Sequence, residues 1–159
     1  MTVAIFPGSF DPVTNGHIEI LRSGAEIFDK VIIAVSYNIN KQGFLPLETR
    51  VELIKKSVAG IKNVEVDYYT GLTVEYAKRK GANVLLRGLR TVSDFEYETQ
   101  IAQTNMALNS KIKTVFLSAE PKLSYISSSA VKEILLNNGD ISNFVPLPVF
   151  EYFNSKRDI

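Results

Sequence analysis

The amino-acid sequence predicts a doubly wound α/β fold, one domain over residues 1–159 with a five-stranded parallel sheet flanked by helices. Three observations predict it. Short apolar runs recur without the polar alternation of a half-exposed sheet, as strands covered on both faces require. Most of these runs are followed by apolar residues at helical spacing. The chain is also short, at 159 residues, and its 45% hydrophobic and 22% charged content is the balance of a folded protein with its own core.

In chain order, Val3-Ala4-Ile5-Phe6 reads as the first strand, ended by Pro7-Gly8. After His17, the stripe Ile20, Leu21, Gly24, Ile27 and Phe28 marks a helix. Val31 to Val35 is the second strand, and Pro46, suited to a first helical turn, opens a helix with Val51, Ile54, Val58 and Ile61 on one face. Val64-Glu65-Val66 is a weaker third strand and Val84-Leu85-Leu86 the fourth. Ser93 and Glu96 have the spacing of a capping box, which predicts a helix from there to about Asn109. Val115-Phe116-Leu117 is the fifth strand. Val131, Ile134 and Leu135 mark another helix, with Asn138-Gly139 as its stop, and a short last helix begins near Pro148. There is no internal repeat, low-complexity tract or linker. The alternation is Rossmann-like, so a ligand is expected outside the carboxyl ends of the strands, near a switch in strand order.

Composition removes several function classes. Lys plus Arg number 18 against 17 Asp plus Glu, a net charge of +1, so a nucleic-acid partner held by phosphate neutralisation is not expected. The absence of cysteine excludes disulfides, thiolate catalysis and cysteine-ligated zinc, and fits a reducing cytoplasm. His17 is the only histidine, which excludes a multi-histidine metal centre. The start MTVAIFPGSF does not read as a signal peptide, and no segment reaches the ~20 apolar residues that cross a bilayer. A cytoplasmic protein with no membrane partner is expected.

Four groups of residues could carry chemistry. The turn from Phe6 through Ser9, Phe10 and Gly16 to His17 joins a strand to a helix start, where unpaired N–H groups and a partial positive charge attract anions. It matches neither GxGxxG nor GxxxxGK[ST]. Arg87-Gly88-Leu89-Arg90 puts two arginines three residues apart at a strand end, and guanidinium forks suit phosphate oxygens. Leu123 to Ser129, with Ser127, Ser128 and Ser129 in a row before a helix, offers hydroxyls and N–H groups together. Lys41 lies in the polar loop after the second strand. Singly, each has a bland reading as a turn, a solvated pair, a cap or a surface lysine. Together they follow four different strands, as a convergent site for polyphosphate at one sheet edge requires.

These residues carry a resemblance. Thr14-x-Gly16-His17 looks like the T/HxGH motif of the nucleotidyltransferase superfamily, and Ile126-Ser127-Ser128-Ser129 resembles its ISSS/T phosphate motif. PGSFDPVTNGH, LRGLRTVSDFEYE, YISSSAVKE, the LETRVEL helix and the Asn138-Gly139-Asp140 stop resemble the phosphopantetheine adenylyltransferase family, over about residues 2–150. That family implies a cytosolic bacterial enzyme of coenzyme A biosynthesis, a homohexamer, using Mg2+ to transfer AMP from ATP to 4′-phosphopantetheine. By position, Ser9, Lys41, Thr73 and Arg87 match its phosphopantetheine-binding residues. Ser9, Phe10, His17, Gly88, Leu89, Arg90, Glu98 and the run Leu123, Ser124, Tyr125, Ile126, Ser127, Ser128 and Ser129 match its ATP-binding residues.

The resemblance also implies roles. His17 would stabilise the transition state by donating a hydrogen bond and some positive charge. Lys41 and Arg87 would hold the incoming phosphate, and Arg90 with the three serines the leaving pyrophosphate. Gly71 stands where some relatives carry an acidic residue and Leu123 where some carry an aromatic. A nicotinate-mononucleotide adenylyltransferase or a cytidylyltransferase would share the TxGH and ISSS motifs, but the RGLR and DFEYE stretches favour phosphopantetheine. A non-catalytic nucleotide sensor would be expected to lack the histidine or the arginines, and all are present.

Overall fold

A computed structural model describes residues 1–157 of the chain. Five strands form one parallel sheet: β1 (Val3–Gly8), β2 (Lys30–Ser36), β3 (Val64–Tyr69), β4 (Val84–Leu89) and β5 (Lys113–Ser118). Their order is β3-β2-β1-β4-β5. The chain winds outward from β1 through β2 to β3, then returns to lay β4 on the other side of β1. The direction of winding therefore reverses between β1 and β4, which opens a crevice at their carboxyl ends.

Side chains alternate between the two faces of a strand, and both faces of this sheet are covered. Ala4, Phe6, Val31, Ile33, Val35 and Leu86 join one buried cluster, with Ile20, Leu21, Ile54, Val131 and Val149. Their neighbours Val3, Ile5, Ile32, Ala34 and Leu85 join the other, with Val74, Tyr76, Ala77 and Ile112. This two-sided burial is why the central strands read as unbroken apolar runs. The first cluster is roofed by helices α1 (Asn15–Ile27), α2 (Leu47–Val58), α5 (Ser128–Leu136) and α6 (Leu147–Arg157). On the other face lie α3 (Thr73–Arg79) and α4 (Val92–Leu108).

The helix boundaries have local causes. Thr14 caps α1, accepting from the His17 N–H at 3.4 Å. The α4 cap is Thr91, two residues before the expected Ser93, because its hydroxyl accepts from the Asp94 N–H at 3.2 Å. Ser127 caps α5 through the Ala130 N–H at 3.0 Å. That helix stops as expected, but Asn138 takes the left-handed conformation (φ 58°) while the Gly139 N–H closes the end on the Ile134 carbonyl at 2.8 Å. Helix α3 has 7 residues, too few to show a periodic stripe, and is absent from the sequence reading.

Candidate active site

A cleft of about 310 Å3 opens at the carboxyl ends of β1 and β4. The β1–α1 turn contributes Ser9, Phe10, Thr14, Gly16 and His17, and β4 with its following turn contributes Arg87, Gly88 and Arg90. Leu123, Ile126, Ser127, Ser128 and Ser129 close it at the start of α5. The helices α1 and α5 thus both begin at the cleft, adding partial positive charge to that of the two arginines.

His17 is fixed by its own helix cap. The Thr14 N–H donates to Nδ1 at 3.0 Å while the Thr14 hydroxyl takes the His17 N–H. Burial, followed by the charges of Arg90 and Arg87, lowers its pKa to about 4, so the ring is neutral near pH 7. With Nδ1 accepting, the ring proton resides on Nε2. The free protein therefore presents a neutral N–H donor here. Phe10 is 2% exposed and packs edge-on against this ring, centroids 5.0 Å apart, holding its orientation.

The arginines are held differently. Arg87 donates through Nε and Nη2 to both Glu98 oxygens, at 2.7 and 2.6 Å, and through Nη1 to the Pro7 carbonyl at 2.7 Å. Arg90 donates through Nε to Asp94 at 3.1 Å and through Nη1 to the Ile126 carbonyl at 3.0 Å. That second bond crosses the cleft to the serine segment. Ser128 Oγ in turn donates to the Pro12 carbonyl at 2.8 Å, tying α5 to the β1–α1 turn.

A second hollow of about 230 Å3 adjoins the first, sharing Pro7, Gly8 and Arg87. Tyr69, Thr73, Leu85, Glu98, Ile101 and Asn105 are among its lining residues. Thr73 accompanies Arg87 here, and its hydroxyl lies 2.8 Å from that of Tyr69. Glu98, matched by position to the ATP contacts, lines this hollow instead of the cleft that holds His17. Lys41 lines a separate surface hollow formed by its own loop. Leu89, Ser124 and Tyr125 do not line the cleft; Ser124 Oγ donates to the Pro121 carbonyl at 2.9 Å, and the exposed Tyr125 ring packs on Phe144.

The sequence reading passed over Asp94, which lines the cleft and orients Arg90. Arg90 precedes the Thr91 cap and so lies outside the helix that carries Asp94, which left no helix-face spacing to pair them. The sequence reading also passed over Asp11 and Arg50, both buried, whose pattern in the sequence is that of ordinary surface charges. Among the described residues, no group of three or more histidine or acidic side chains is placed to hold a metal ion. The hydroxyls and N–H groups of the cleft suit phosphate oxygens, while the Asp94 carboxylate and the serine oxygens are acceptors that would suit the waters of a cation.

Comparison with known proteins agrees with this architecture. Residues 5–134 match the cytidylyltransferase-like family model. The chain is 52% identical to a phosphopantetheine adenylyltransferase of Caldanaerobacter subterraneus subsp. tengcongensis, covering 98% of each. It is 54% identical to one from Gloeothece citriformis, over 91% of this chain and 92% of that one. Among solved structures, a protein described as a bifunctional NMN adenylyltransferase/ADP ribose pyrophosphatase from Francisella tularensis superposes with a TM-score of 0.77. It is 12% identical, over 99% of this chain and 50% of that one, a likeness of fold alone. The chain belongs to the phosphopantetheine adenylyltransferase family, within the cytidylyltransferase-like nucleotidyltransferases.

Proposed function

We propose that the chain transfers AMP from ATP to 4′-phosphopantetheine, giving dephospho-coenzyme A and pyrophosphate. The observation that carries this reading is the pair of adjoining hollows that share Arg87. One is lined by phosphate-suited groups, the other by apolar and hydroxyl side chains with Asn105, beside the Arg87–Glu98 pair, a lining that suits a pantetheine arm.

The acceptor phosphate oxygen attacks the α-phosphorus of ATP in line, and the bond from that phosphorus to the β-phosphate oxygen breaks. The electron pair leaves with pyrophosphate. The nucleophile is already an anion near neutral pH, so no general base is required. Catalysis then rests on positioning and on stabilising charge at the phosphoryl oxygens. His17 Nε2–H donates to the crowded α-phosphate oxygens. Arg90 and the hydroxyls of Ser127 and Ser129 hold the leaving pyrophosphate. Ser9, Thr73 and Arg87 hold the acceptor, with Lys41 reaching its phosphate from the loop. Carried on the ATP phosphates beside Arg90, Ser127 and Ser129, Mg2+ would supply further positive charge to offset theirs.

The same proposal includes a single catalytic domain, a cytoplasmic location and assembly as a homohexamer. No helix among the described residues is long and apolar enough to cross a membrane. Val92, Phe95, Tyr97, Met106 and Leu108 on α4 are exposed, which favours a covering partner. Sedimentation at several concentrations tests the assembly. Pyrophosphate release from ATP and Mg2+, with and without 4′-phosphopantetheine, tests the reaction. Release that requires this acceptor is expected; release only with a different phosphorylated acceptor would overturn the substrate.

A further inference from the structure

Two buried charges stand beside the cleft without lining it. Asp11, in the β1–α1 turn, is 7% exposed, and Arg50, in α2, is 5% exposed. Burying charge costs stability unless it is well partnered, so their partners indicate their role. Asp11 accepts the Phe44 N–H at 2.7 Å and the Leu45 N–H at 2.8 Å, one on each carboxylate oxygen. Arg50 Nη1 donates to the carbonyl of Ser9 at 3.0 Å, and Ser9 lines the cleft. Among the described residues, no group accepts from the buried Arg50 Nε.

Both charges meet the loop that carries Lys41. The loop is anchored at its start, where the Tyr37 N–H donates to the Tyr69 carbonyl at 2.8 Å. It is anchored at its end by Asp11 through Phe44 and Leu45. Residues 38–43 between these anchors are exposed. Gly43 lies where the two charges converge: a Cβ there would sit 3.1 Å from Asp11 Oδ2 and 3.4 Å from Arg50 Nη2.

We propose that Asp11, Arg50 and Gly43 form a clip that fixes the Lys41 loop to the β1–α1 turn, making Asp11 and Arg50 positioning residues for the acceptor phosphate. The clip couples the placement of Lys41 to that of Ser9 and His17. Neither charge lines the cleft that holds His17, and Arg50 borders the hollow of the Lys41 loop. This inference rests on the assignment of Lys41 to the acceptor phosphate.

The test is steady-state kinetics of Gly43→Ala, Asp11→Asn and Lys41→Ala and of the two double variants with Lys41→Ala, with thermal melts of each. Gly43→Ala presses a Cβ against Asp11, Arg50 and the Leu45 carbonyl without removing a buried charge, and so gives a second variant beside Asp11→Asn. Each clip variant should raise the acceptor KM about tenfold, the scale of a displaced positioning group. The ATP KM should stay within about twofold, and in the Lys41→Ala background each clip variant should add less than about twofold to the acceptor KM. Effects that multiply with Lys41→Ala, or that raise the ATP KM equally, would overturn the clip while leaving the Lys41 assignment intact. An unchanged acceptor KM in Lys41→Ala alone would overturn that assignment and the clip with it.

Discussion

Arg87 and Glu98 face each other in a two-point pair, Nε to one carboxylate oxygen at 2.7 Å and Nη2 to the other at 2.6 Å. The pair stands where the two hollows meet, with Arg87 lining both and Glu98 only the second. A planar fork held at two points has little rotational freedom, so Arg87 is aimed before any phosphate arrives.

Glu98→Ala should therefore act on both stability and binding. It leaves a partly buried guanidinium with only the Pro7 carbonyl, at a cost of about 1–3 kcal/mol. The acceptor KM should rise because Arg87 is no longer held. Urea unfolding and acceptor kinetics check the two effects separately; a stable variant with an unaltered acceptor KM would mean that Glu98 does not orient Arg87.

His17 should titrate near pH 4 in the free protein, chiefly through burial and then through Arg90 and Arg87. As the only histidine, it gives a single imidazole signal by NMR. Between its ordinary value of 6.5 and about 4 the unfolded chain takes up a proton that the folded chain refuses. Its contribution to stability is therefore full above pH 6.5 and is lost as pH falls toward 4. The difference in stability between the wild type and His17→Gln should change across this window and be flat above it. ATP should raise the midpoint, since its phosphates oppose the two arginines. His17→Ala should keep ATP binding and lose about 2–4 kcal/mol of transition-state stabilisation. Near-normal turnover in that variant would remove His17 from the chemistry.

Arg90 bridges the cleft, with Asp94 behind it and the Ile126 carbonyl across it. Arg90→Ala should weaken ATP binding and slow turnover together, by calorimetry and kinetics. Asp94→Asn should do the same more weakly, within about tenfold, because it removes the charge that orients the guanidinium but keeps an acceptor. An ATP affinity unchanged by Arg90→Ala would count against placing the leaving phosphates there.

Most of the fold was legible because β1 and β2 are covered on both faces and declare it as unbroken apolar runs. The candidate site was legible where its residues lie near or past the carboxyl ends of strands, as Arg87, Arg90 and His17 do. What escaped was set by distant contacts. Thr91 and Ser93 both look like caps, and only the backbone around Thr91 (φ −139°, ψ 168°) decides between them. Asp11 and Arg50 show no pattern, because their partners lie 34 and 41 residues away along the chain. The pairing of Glu98 with Arg87 instead of a place in the first cleft depends on how α4 lies across β4, which periodicity does not report.

The close approach of α1 to β4 gives the last prediction. Gly88 lines the cleft between the two arginines, and a Cβ there would lie 2.9 Å from Cγ1 and 3.2 Å from Cδ1 of Ile20. Ile20 is 4% exposed and sits one turn beyond His17 on α1. It has little room to retreat, so Gly88→Ala should push α1 from β4 at a cost of about 1–3 kcal/mol. The same displacement separates His17 from Arg87 and Arg90, so kcat should fall with stability. Ile20→Val removes the Cδ1 atom and relieves part of the crowding, so adding it to Gly88→Ala should recover some of both. Recovery of stability without kcat would mean that the distance between α1 and β4 does not set the geometry of the reaction.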